Sequence, residues 1–74
     1  MTANGFAYVV DDIIAINTVH NTHLGACVNT LVTVFGVRVM HGMNDEYLQT
    51  QATMLAVRAG GAILPVEITV KKMH

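Results

Sequence analysis

Three side chains able to bind a metal fall close together in this sequence: His20, His23 and Cys27. On a helix they would lie within about 60° of one another, one turn apart each. Imidazole and thiolate are borderline-soft donors suited to zinc or copper, and such a spacing can bring three of them to one ion. The same spacing also describes two histidines and a cysteine satisfied by hydrogen bonds in a half-buried groove or an interface. With 4 histidines in 74 residues, groupings of this kind arise by chance, so the structural reading takes precedence over the metal site.

A second grouping is Met40-His41-Gly42-Met43. Thioethers beside an imidazole suit Cu(I), but methionine is also a common gap-filler in cores and the motif is too short to be specific. Catalysis has little to work with. The chain has no serine, and its single cysteine falls on an apolar helical stripe where a thiol tends to be inert. The carboxylate pairs Asp11-Asp12 and Asp45-Glu46 each stand where a helix start wants a cap. Gly60-Gly61 lacks the later residues of a phosphate-binding loop. The expectation is a non-enzymatic protein with no cofactor.

The elements that would position these residues can be read from periodicity. Phe6 to Val10 is aromatic and β-branched and reads as a strand, ending at Asp11-Asp12. From Ile13 to Phe35 a helical period gathers Ile13, Ile16, His20, Leu24, Cys27, Leu31 and Phe35 on one side. Nearly half of this segment is Val, Ile or Thr, and Gly25 sits in its middle, both unfavourable to helix. The alternative ends the helix near Gly25 and makes Cys27 to Phe35 a strand; the long helix is preferred.

Val37 to His41 alternates as a strand would. Asn44 then caps a helix with Asp45 and Glu46 in its first turn and Arg58 in its last, stopped by Gly60-Gly61. Its buried face is Leu48, Ala52, Leu55 and Ala56. After Pro65 a last strand alternates, with Val66, Ile68 and Val70 expected on the buried side. The predicted fold class is α+β or small α/β. It is one two-layer domain over residues 1–74, in the order strand-helix-strand-helix-strand, with a three-stranded sheet. A two-layer domain leaves one sheet face bare, and Tyr8, Val10, Val37 and Val39 are the expected occupants of that face.

Composition supplies the functional expectation. Hydrophobic residues make up 53% and charged residues 12%, against about 45–50% and about 25% in ordinary domains. A chain this short and apolar has more hydrophobic side chains than one small core hides, and the surplus is expected in an interface. We therefore read the sequence as that of a structural or assembly protein acting as a homo-oligomer, a composition shared by small virion and shell components. The residues predicted to divide themselves between core and subunit contact are Leu24, Cys27, Leu31 and Phe35.

The alternative is a nucleic-acid-binding module effective only as an oligomer, with Arg38, Arg58, Lys71 and Lys72 lined up by subunits. The net charge of −1 and the lack of any basic run argue against it. The charge-free stretch from Ile13 to Val37 is long enough to span a bilayer. Its asparagines and histidines would be costly there, so no membrane span is expected. With no signal peptide visible, the expected location is cytoplasmic or virion-associated.

Overall fold

The computed structural model describes residues 2–69. Its first strand, β1, runs Thr2–Val10 and turns back at once into a short β2, Ile13–Ile14. Asp11 and Asp12 form the reversal, with φ of 53° and 61°. Two central residues with positive φ make a type I′ turn, the one whose twist matches a tight hairpin. Val10 pairs with Ile13 and Val9 with Ile14. The aspartates therefore make a hairpin instead of opening a helix.

Beyond β2 the chain leaves the ladder in a 3-10 turn, Ile16–Thr18, and rejoins the edge of β1 where His20 faces Phe6. One buried side chain mends the gap. The Thr18 hydroxyl accepts from the Tyr8 N–H (2.9 Å) and donates to the Ala15 carbonyl (2.6 Å).

The first helix, α1, covers His23–Thr33. Thr22 caps it, its hydroxyl accepting from the Gly25 N–H at 3.0 Å. Neither the helix expected from Ile13 nor the alternative strand over 27–35 forms. Ile13 and Ile16 share the helical phase of Leu24 and Leu31, yet they belong to the hairpin's return arm and stand 67% and 75% exposed.

The segment from Val34 to Asn44 crosses between the helices without a strand. Its alternation is real, since Val37 and Val39 pack inward on the core while Arg38 and Met40 are exposed. Among the described residues no strand lies beside it to make a ladder.

The second helix, α2, is Asp45–Arg58. Asn44 caps it by accepting from the Tyr47 N–H (3.1 Å), the first turn is acidic and the last is basic, as its sequence predicts. Gly60, at φ 87°, supplies the left-handed residue that ends such a helix. Strand β3, Gly61–Thr69, pairs with β1 along its whole length, from Val10 with Gly61 to Thr2 with Thr69.

The sheet order is β2-β1-β3, antiparallel throughout. The domain is thus α+β, a three-stranded sheet with two helices on it and strands before and after the helix pair. Cys27 and Leu31 of α1 and Leu48 and Ala52 of α2 form the buried centre, and Ile63 of β3 packs against it. Tyr8 lies across the ladder from Ile63 and Phe6 across from Pro65. The covered side of the sheet is therefore the one that carries Phe6, Tyr8 and Ile63.

Candidate functional site

The histidine–cysteine grouping divides in two. His23 opens α1 with its ring edge-on to Phe6, centroids 5.5 Å apart at 88°. Its Nδ1 is 2.6 Å from Gln49 Oε1, tying α1 to α2. Cys27 lies one turn on, its Sγ 3.7 Å from Nδ1. Burial pushes the Cys27 thiol up from its ordinary pKa, which disfavours the thiolate that a nucleophile or metal ligand must be.

His20 belongs elsewhere. Its backbone exchanges hydrogen bonds with Phe6 (2.8 and 3.0 Å). Its Nδ1 accepts from the Thr22 N–H (3.1 Å), and its ring lies over Gly25, where a Cβ would collide with it. This explains a glycine in the first turn of a helix. His20, His23 and Cys27 do not converge, and among the described residues no group of three or more His, Cys, Asp or Glu is placed to hold a metal. In the methionine grouping, the Met43 sulfur accepts from the Met40 N–H (3.1 Å) and Met43 packs on the core.

The residues chosen for a subunit contact are mostly spent inside the chain. Cys27 and Leu31 are 0% and 1% exposed and fill this chain's own core. Leu24 packs on the same core, and the Phe35 ring meets Tyr8 at 5.8 Å. Of the four basic positions, Arg38 and Arg58 are exposed, whereas Lys71 and Lys72 lie outside the described residues. All five acidic residues are exposed, so the described surface is more acidic than basic. Among the described residues no helix is long and apolar enough to cross a membrane.

What sequence reasoning missed is the other side of the sheet. Strand alternation puts Gly5, Ala7 and Val9 of β1, Ile14 of β2, and Ala62, Leu64, Val66 and Ile68 of β3 on the face turned away from Phe6, Tyr8 and Ile63. Every one of these residues is apolar. Leu64 is 44% exposed, Val9, Ile14, Ala62, Val66 and Ile68 are half-buried, and Gly5 and Ala7 are buried, so the accessible part of this face lies along β3. Val66 and Ile68 thus face away from the helices, contrary to the expected inward placement; Val70 lies outside the described residues. The sheet has a face turned from the helices and partly open, but its expected occupants do not stand on it. Tyr8 is buried under the helices, Val10 shares Tyr8's side of β1, and Val37 and Val39 are core residues. The signal was present in the run of small and aliphatic residues at alternate positions of both long strands.

The free edge of β3 is guarded while the β3 part of this face is open. Phe6 and Tyr8 direct their backbone groups toward the β2 side. In an antiparallel ladder, their partners Ile63 and Pro65 then point theirs at the free edge of β3. Pro65 has no N–H to offer there, and exposed Glu67 adds a charge. A proline and a charge are two of the devices that discourage edge-to-edge pairing. In comparisons with known proteins the chain matches no family model, no curated protein and no solved structure.

Proposed function

We propose that this protein is a small non-enzymatic assembly protein that works as a homo-oligomer, two copies packing through the open face of the sheet. The observation that carries this reading is the uncharged row of Val9, Ile14, Ala62, Leu64, Val66 and Ile68, half-buried or exposed, on a sheet whose β3 edge is blunted. A two-fold contact sets a surface against itself. A face with charges would meet its own sign near the axis, and this one has none. Its aliphatic residues alternate along both long strands, which suits sheet-on-sheet packing at about 10 Å.

Scale sets the expected strength. Two nine-residue strands at about 3.3 Å per residue and about 4.8 Å apart, with two-residue β2 adding little, give a footprint of roughly 30 by 10 Å. That is below the ~800 Å² per partner of stable complexes, so the association should be concentration-dependent. Light scattering across a dilution series tests it. The native chain should move between one and more than one chain mass. Leu64→Asp, which puts a carboxylate in the middle of the face, should hold it at the mass of one chain with its fold intact. A native protein that stays monomeric at several hundred micromolar overturns the reading.

A further inference from the structure

Helix α2 has no Asp, Glu, Lys or Arg between Glu46 and Arg58. Its inward side, Leu48, Ala52, Leu55 and Ala56, is accounted for by the core and the sheet beneath. The outward side should then be polar, as on any helix lying on a domain in water. Instead Tyr47, Met54 and Val57 stand there, 53%, 50% and 64% exposed, with the uncharged Thr50, Thr53 and half-buried Gln51 beside them. Positions 47, 50, 54 and 57 keep the three-four spacing of a helix-pairing seam. Thr53, Met54, Val57 and Arg58 also line a shallow, mostly apolar groove beside that seam.

We infer that the outward face of α2 is a second self-association surface, on which another copy packs antiparallel, each Tyr47 seated in the other chain's groove between Met54 and Arg58. In an antiparallel pair Tyr47 falls level with Val57 and Thr50 level with Met54, so the relation that seats one tyrosine seats the other. A parallel pair would set the two tyrosines side by side and leave both grooves empty. The ends agree with the antiparallel choice. The acidic first turn, Asp45 and Glu46, comes beside the partner's last turn, where Arg58 stands, and the helix dipoles oppose. The helix thus carries both halves of the fit, which is why the occupant is a second copy of this chain.

This inference rests on the homo-oligomer reading and adds a second contact to it. A helix of 14 residues is about 21 Å long and about 10 Å wide. So small a footprint joins copies already paired through their sheets better than it pairs them alone. The two surfaces lie on opposite sides of a two-layer domain, so using both extends a row of copies instead of closing a pair.

The test is sedimentation equilibrium of the full chain at several hundred micromolar, with circular dichroism as the check on folding. The native chain should exceed twice the chain mass of 8.0 kDa. Met54→Glu, which keeps a good helix former at a half-exposed site, should cap the mass at two chains, as should Tyr47→Ala. Leu64→Asp combined with Met54→Glu should give one chain. If Met54→Glu and Tyr47→Ala leave the native mass unchanged while Leu64→Asp lowers it, the α2 contact is overturned and the sheet contact stands. A native chain that never exceeds two chains overturns the α2 contact as well, and one that stays at a single chain mass overturns both.

Discussion

The two faces of the sheet are built from different sizes of side chain. Under the helices stand Phe6, Tyr8 and Ile63, and Tyr8 is only 5% exposed. On the other face stand Gly5, Ala7, Val9, Ile14, Ala62, Leu64, Val66 and Ile68, with Ala7 itself buried and Leu64 44% exposed. Bulky rings fill the uneven space between a sheet and two helices, where packing must reach crystal-like density. Aliphatic groups without rings make a more level surface that can mate with another such surface. The centres of both faces are apolar, so hydrophobicity alone does not separate the one that holds the chain together from the one that can meet a partner. Size and depth do.

The comparison can be broken most forcefully from the covered side. Leu31 is 1% exposed at the meeting of α1 and α2. Leu31→Ala removes buried methyl groups and leaves a void, a loss of about 2–5 kcal/mol. A domain of this size holds only about 4–11 kcal/mol in total. Urea titration should show the midpoint falling steeply, in contrast to Leu64→Asp, which should change folding little and association much. Equal losses at the two sites would mean that the open face is part of the chain's own core.

A smaller effect is expected at the hinge between ladder and 3-10 turn. Thr18→Val keeps the shape but leaves the buried Tyr8 N–H without its acceptor, a cost of about 1–3 kcal/mol. The Tyr8 amide should then exchange with solvent much faster, and unchanged protection would show that the Thr18 hydroxyl is dispensable.

The finest distinction concerns Gly25. Alanine in a helix is ordinarily better than glycine by about 1 kcal/mol. Here the added methyl would push the His20 ring off the Thr22 amide. Gly25→Ala should therefore fail to stabilise the native protein, yet stabilise the His20→Ala variant by about 1 kcal/mol. A thermal-denaturation double-mutant cycle gives both values, and equal gains in the two backgrounds would dismiss the packing of ring on glycine.

Local chemistry made α2 legible from sequence, because Asn44, Asp45, Glu46, Arg58 and Gly60 each mark a helix end by their own hydrogen bonds or charge. The start of α1 was not legible. Ile13, Ile16 and His20 share its phase by coincidence, and Asp11-Asp12 turns the chain without the Asn or Gly that usually announces a type I′ turn. His20 joined the metal grouping only on the premise that it was helical. Alternation at Val37 and Val39 correctly reported inward burial but could not report a missing strand neighbour. At Val66 and Ile68 alternation identified the strand, but the side expected to be buried is the one turned from the helices. Which side the helices take depends on residues elsewhere in the chain, as does the open face that follows from it.

The long β1–β3 ladder, from Val10 with Gly61 to Thr2 with Thr69, also has a consequence in time. Its partners are separated by about fifty residues or more, so the central strand must wait for both helices before its main neighbour exists. At a synthesis rate of about 5–20 residues per second, that wait lasts roughly 3–10 s. Through it β1 has only the short arm of its hairpin for company. Contacts this distant also slow the search for the native state relative to a helical chain of equal length. An apolar strand held open for seconds is a hazard on a crowded ribosome, and Pro65 gives no protection until β3 has arrived.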